Sequence, residues 1–374
     1  MNMNAAGIIF SDAYDVPVNE LTRARTLAAL PFGGRYRVVD FTLSNMANAG
    51  IQNIGIVTTR NYNSLMYHIR GGAVWDLDKK RSALTFLPPY GSDNYKGMYH
   101  SRLEAMQTHR KFIEALDEKY VVLVCCNYIG NIDLGKMIDF HIKSGARITA
   151  LYTRKPMFKS EGERLPVYAI GARNKLENVE IVQKLEAGDA YGVDCFVIEK
   201  ETLLEVLDMA ARDNFTSFGT EVLQKMAKNG DAVAYEATET MMFMDTTADY
   251  MKSSLALLDH DIMDELFEQD GRPIETRARD SAPTRYGENA VVENCLIADG
   301  VRIEGTVRNS IIFRDVRIKK GSVVENCVIM QDAVVGENVN LSYAILDNNV
   351  IINDGRMLGG YITHPFYLDE GTVI

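Results

Sequence analysis

Residues 316–352 read VRIKKGSVVENCVIMQDAVVGENVNLSYAILDNNVII. Apolar positions recur about every six residues. Val316, Ala333 and Val350 are 17 apart, and so are Ser322 and Val339. Short β-branched runs alternate with turns rich in Gly, Asn and Asp. Runs this short bury nothing alone but bury a continuous core when stacked as three-sided coils. The pattern is the hexapeptide signature of a left-handed parallel β-helix, predicted here over 288–374. An ordinary antiparallel sheet is the competing reading, and a period that persists for roughly 60 residues argues against it. The stack also leaves an edge that can pair or pack with another chain.

Upstream, residues 1–258 follow a different rhythm, in which short apolar runs alternate with amphipathic segments. Strands are predicted at Ala6–Phe10, Asn53–Thr58, Tyr120–Cys125 and Arg147–Tyr152, with late strands at Ala232–Ala237 and Met241–Met244. Helices are predicted at Thr42–Asn48, Ser64–Ile69, Arg102–Leu116, Leu134–Lys143, 200–210, 216–228 and Tyr250–Leu258. That alternation predicts an α/β domain with a mostly parallel sheet and helices on both faces. Ligands of such sheets sit beyond the carboxyl ends of the strands, which here means after Phe10 and after Cys125. A further helix from Asp259 and a polar stretch with Pro273 and Pro283 make 259–287 the helix and linker between domains.

The 374 residues, 47% of them hydrophobic, suffice for two domains with cores. A net charge of −11 and a pI near 5.2 make nucleic acid and anionic membrane poor partners. The chain contains no run of about 18 apolar residues that would span a bilayer, and MNMNAAGIIF lacks a signal-peptide pattern. Cys125, Cys126, Cys195, Cys295 and Cys327 sit in apolar runs and read as thiols of a reducing compartment rather than as disulfides or zinc ligands.

Three stretches of the first domain carry a resemblance: PFGGRYRVVDFTLSNMANAGIQNIGIVT (Pro31–Thr58), LMYHIRGG (Leu65–Gly72) and DLGKMIDFHIKSGA (Asp133–Ala146). With the hexapeptide tail, the chain resembles glucose-1-phosphate adenylyltransferase (ADP-glucose pyrophosphorylase) over nearly its full length. The resemblance implies a Rossmann-like nucleotidyltransferase domain and the reaction ATP + glucose 1-phosphate → ADP-glucose + pyrophosphate. That chemistry needs backbone N–H groups closing on phosphates, cations on the transferred phosphoryl group and carboxylate-held Mg2+.

The residues that would supply that chemistry are altered. The family's loop resembles GG-x-GTRL followed by RAKPA; here the stretch reads FSDAYDVPVNELTRARTLAALPF. Asp12 and Ala13 take the places of the first two glycines and Asp15 that of the third. Pro17 stands for the arginine and Leu27 for the lysine, while Arg25 matches the arginine of RAKPA. Carboxylates facing a triphosphate repel it, and leucine brings no charge to a transition state; Asp12 and Asp15 could equally cap a turn. In place of SGDHIY the chain reads CCNYIG, so Asn127 replaces a Mg2+-ligating aspartate with a neutral, weaker ligand. His100 takes the place of the aspartate in a GTADA pattern and reads as an exposed or structural histidine. The sugar-phosphate lysine motif has no clear counterpart before Tyr191–Cys195. Asp245 survives from a W-x-D-V-G-T segment as one remnant metal carboxylate. Arg35 and Arg37 either lock their loop onto Asp40 or another acid, or contact a retained anion together with Arg25.

Losses on both sides of the reaction resemble the non-catalytic, regulatory (GlgD) branch of the family. That implies no cofactor for the chain alone, Mg2+ in a catalytic GlgC-type partner, a cytoplasmic heterotetramer with that partner, and a possible sugar-phosphate effector. A homo-oligomer alone remains open, as do activity of the chain's own and a non-enzymatic β-helix scaffold or sugar-phosphate-binding role. A β-helix acyltransferase would need a histidine in the coils, and none occurs between His260 and His364.

Overall fold

The computed structural model describes residues 4–12, 20–59, 61–79, 83–89, 99–158 and 161–374. Ala5–Phe10 is a fully buried central strand, paired in parallel with Asn53–Val57 on one side and Tyr120–Cys125 on the other. Its alternate side chains feed two cores. Ala5 and Ile9 pack with the helices Val38–Asn48 and Leu134–Ser144, whereas Ala6, Ile8 and Phe10 pack with Arg102–Thr108 and Lys200–Asp213. Burial on both faces is why these strands read as unbroken apolar runs. The Val38–Asn48 helix comes so close that a side chain at Gly7 would meet Met46 Sδ at 2.5 Å.

Nine strands make the sheet, and its outer part differs from the expected parallel pattern. Tyr191–Glu199 runs antiparallel to both Tyr120–Cys125 and Ile148–Thr153, and a hairpin of Glu161–Ile170 and Leu176–Lys184 extends the edge. The sequence reading held no strand at these three places. The hairpin is mostly exposed or half-buried, and Leu165, Tyr168, Leu176 and Val179 are its buried residues. The helix expected over Arg102–Leu116 is two helices, Arg102–Thr108 and Arg110–Glu114, broken at His109 (φ −96°, ψ 20°), whose buried ring bonds Tyr99 Oη at 2.9 Å.

Three parallel five-stranded sheets form the β-helix. Val316, Ala333 and Val350 are fully buried inside it. The spacing of Ser322 and Val339 is one coil, since Val339 N–H donates to Ser322 Oγ at 3.0 Å. Turn asparagines at the corners, Asn294, Asn309 and Asn326, adopt left-handed backbone at φ 50°, 45° and 54°, which asparagine tolerates best after glycine. The first coil strand is Arg285–Tyr286, inside the stretch read as linker. The rest of that stretch is anchored on the α/β domain: Glu275 N–H donates to Ser44 Oγ at 2.9 Å and Asn48 Nδ2 to the Pro273 carbonyl at 3.1 Å. Ile311, Phe313, Val328, Met330 and Ile345 of the coils join one α/β core, so the two domains share buried surface. All five cysteines are free thiols, and burial pushes that of Cys126 up to about 12. Among the described residues, no helix is long and apolar enough to cross a membrane.

Candidate functional site

The carboxyl ends of the three parallel strands converge just after Phe10, Val57 and Cys125. Asp12 lies there. Its carboxylate accepts from the backbone N–H of Leu27 at 2.8 Å, from Ser11 Oγ at 3.2 Å and from Thr59 Oγ1. Burial raises the Asp12 pKa, and the bonds from Thr59, Leu27 and Ser11 oppose the shift. The Leu27 N–H and the Ser11 and Thr59 hydroxyls, beside the end of the central strand, are thus engaged by the chain's own carboxylate. Leu27, at the lysine position, opens a short 3-10 turn and is buried in the core with Ala28 and Ala29. Ala13, Asp15 and Pro17 lie outside the described residues.

Asn127 and Asp245 flank two paired strand segments. Tyr128–Ile129 pairs antiparallel with Met241–Phe243, and Met244 N–H donates to the Asn127 carbonyl at 3.3 Å. Both side chains are buried, and Asn127 Oδ1 has no hydrogen-bond partner. Mg2+ in this chemistry is held by carboxylates together with substrate phosphates. A neutral amide at Asn127, with Asp245 as the remaining carboxylate and Asp12 at the end of the central strand, is a poorer donor set for that ion than a pair of carboxylates. His100 is exposed, its backbone N–H held by Glu104 Oε2 at 2.7 Å. In the Tyr191–Cys195 segment, Asp194 is held by both guanidinium nitrogens of Arg102 at 2.6 Å each. The sequence reading gave neither residue a site role, and only their opposite charges hinted at the pair.

Between the domains lies a cavity of about 350 Å³. Arg25, Arg35, Arg37, Arg277, Arg279 and Arg314 line it, against two carboxylates, Asp332 and Glu370. The sequence reading named three of these arginines; the rest come from the linker and the coils, where nothing local marked them. Their roles differ. Arg25 is 3% exposed and grips Asp347 of the β-helix with two bonds of 2.9 and 2.7 Å, and Glu370 at 3.0 Å. Burial works against its charge, while the bond to Asp347 and the charges of Asp347 and Glu370 work for it, and the balance raises its pKa. Tyr367 Oη donates to the same Asp347 at 2.7 Å. Arg37 reaches Ser64 Oγ at 2.6 Å and the carbonyls of Ser64 and Ala29 at 3.2 and 3.3 Å. Burial lowers its pKa to about 10, with the nearby Asp40 charge opposing. Asp40 itself holds the Arg37 backbone N–H at 2.9 Å, Thr276 Oγ1 at 2.6 Å and His68 Nε2 at 2.6 Å. Its carboxylate therefore fixes the loop through the backbone, not the guanidinium. Arg35 is exposed and lies over the Tyr36 ring, 5.0 Å from its centre. The Arg35 and Arg277 guanidiniums carry no carboxylate among the described ion pairs, so the cavity presents surplus positive charge to an anionic ligand.

A Rossmann-like α/β sheet followed by a hexapeptide β-helix defines a nucleotidyltransferase architecture, and the comparisons agree. The nucleotidyl transferase family profile matches residues 18–247, and a GlmU-like C-terminal hexapeptide profile matches 281–364. The chain is 30% identical over 358 residues to a glucose-1-phosphate adenylyltransferase of Fervidobacterium nodosum, covering 95% of this chain and 86% of that protein. It is 30% identical over 349 residues to the protein of that name from Bacillus anthracis, covering 91% of each. The chain belongs to the glucose-1-phosphate adenylyltransferase family of nucleotidyl transferases.

Proposed function

We propose that this chain is a non-catalytic or weakly catalytic regulatory subunit of a cytoplasmic ADP-glucose-forming assembly, in which it stimulates a catalytic chain of the same family. The observation that carries this reading is Asp12, whose carboxylate takes the Leu27 N–H and the Thr59 hydroxyl at the end of the central strand. A triphosphate arriving there would meet a negative charge and donors already engaged. The names of the relatives favour the second reading, that the chain is an active glucose-1-phosphate adenylyltransferase in its own right. The two readings part on assembly. Co-expression with a homologue carrying an intact glycine loop is expected to give a mixed tetramer of fixed ratio by light scattering, with a higher kcat or lower KM than that homologue alone. Separate elution of the two chains with unchanged rates would end the regulatory reading.

The arginine cavity is the proposed effector site of that subunit. Six guanidiniums in about 350 Å³ suit a sugar phosphate better than a neutral sugar. Calorimetric titration of the full chain with fructose bisphosphate, glucose 1-phosphate and ATP is expected to give binding tighter than about 1 mM for at least one of them, weakened at least about tenfold by Arg35→Gln. No binding to the chain or to its complex removes the effector role.

A further inference from the structure

One sheet of the β-helix carries a run of like charge on its exposed side. Arg285, Arg302 and Arg317 hold equivalent positions on three successive coils: Arg285 is in register with Arg302, and Arg302 with Arg317. Adjacent strands lie about 4.8 Å apart, so the three share roughly 10 Å of surface. Like charges directly opposite one another destabilise a sheet. The neighbouring sheet shows how this fold avoids that cost. There Arg308 stands in register between Glu293 and Glu325 and bonds to both, at 2.7 and 3.0 Å. The other ladder has no such alternation. Among the described residues, Arg285, Arg302 and Arg317 enter no side-chain hydrogen bond or ion pair.

The three side chains line a recess of about 120 Å³ together with Ala282, Pro283, Gly300 and Asp315. Gly300 leaves that wall without a side chain. Asp315 contributes one carboxylate, so three cations face a single anion. The recess is small, and no aromatic ring lines it to hold a base or a sugar face. Guanidinium forks match phosphoryl oxygens two at a time. We propose that Arg285, Arg302 and Arg317 form a binding site for a compact anion with linked phosphoryl groups, separate from the interdomain cavity. Two adjacent phosphoryl groups offer enough acceptors to engage all three forks and offset the Asp315 charge.

The test is calorimetric titration of the full chain with inorganic pyrophosphate, in low and high salt, in the wild type and in Arg302→Gln, Arg302→Lys and Arg37→Gln. The arginines of the ladder are exposed, so the Arg302 variants should fold. Removing the central charge should leave the thermal midpoint without ligand unchanged or raised. Arg302→Gln is expected to weaken one class of pyrophosphate binding at least about tenfold, and Arg302→Lys to weaken it less, since it keeps the charge and loses the fork. Arg37→Gln should leave that class intact. Equal affinity in the wild type and Arg302→Gln overturns the site. So does succinate binding as tightly as pyrophosphate, which would make the ladder a general anion surface rather than a phosphoryl site.

Discussion

Arg25→Ala is expected to destabilise the folded chain by about 3–5 kcal/mol, because it strands a buried carboxylate. Asp347 is 1% exposed, and Arg25 supplies two of its charge-assisted bonds. Two neutral donors would remain, Tyr367 Oη at 2.7 Å and the Asn348 backbone N–H at 2.6 Å, and neither brings a charge. Arg25 is separated from Asp347 by more than three hundred residues, so the pair ties the loop before the short 3-10 turn to the last coils of the β-helix. Loss of the pair should therefore loosen the two domains from one another as well as lower stability. Asp347→Ala should cost a similar amount, and the double replacement Arg25→Met with Asp347→Leu far less, because apolar groups of like volume need no partner. Urea denaturation of the three variants reads this directly. A cost under about 1 kcal/mol for Arg25→Ala would mean that water reaches the pair, as in an exposed salt bridge.

This pair also marks where sequence reading reaches its limit. Arg25 could be matched to a family motif, and its arginine read as an anion contact. Its partner Asp347 lies in a stretch whose 17-residue period was legible, but the period says which residues face inward, not which corner meets the other domain. The coils could be read because their core repeats: Val316, Ala333 and Val350 fall on one buried line. The central strands could be read because burial on both faces leaves no polar interruption. The hairpin of Glu161–Ile170 and Leu176–Lys184 could not, because its alternation of charged and apolar residues is weak and one strand carries a bulge between Ala169 and Ile170. The cavity was half legible. Arg25, Arg35 and Arg37 sit within one motif, whereas Arg277, Arg279 and Arg314 reach it only through the path of the linker and the stacking of the coils.

The chain alone is expected to form ADP-glucose at least about 10³-fold more slowly than a homologue with an intact glycine loop, and Asn127→Asp should not close that gap. A transition-state cation is worth on the order of 10²–10³ in rate, and Leu27, buried in the core, cannot supply one. A competent metal carboxylate adds a further factor, and Asn127 offers only an amide oxygen. Asn127→Asp restores a carboxylate there and is expected to raise Mg2+ affinity, read by titration of the metal without substrates. Its own stability should fall, since an ionisable carboxyl replaces a neutral amide at a buried position. The rate should stay low, because Asp12 still holds the Leu27 N–H and the lysine is still missing, and groups that act as a unit do not contribute additively. Initial rates at saturating ATP and glucose 1-phosphate decide the matter. Turnover of the unaltered chain within about tenfold of the intact homologue would show that Asp12 leaves the phosphate position when substrate binds. Full recovery from Asn127→Asp alone would place the whole deficit at the metal and none at the loop. Tighter Mg2+ binding without recovery would locate the missing energy in the residues around Asp12 and Leu27, the positions where the sequence departs furthest from the family's pattern.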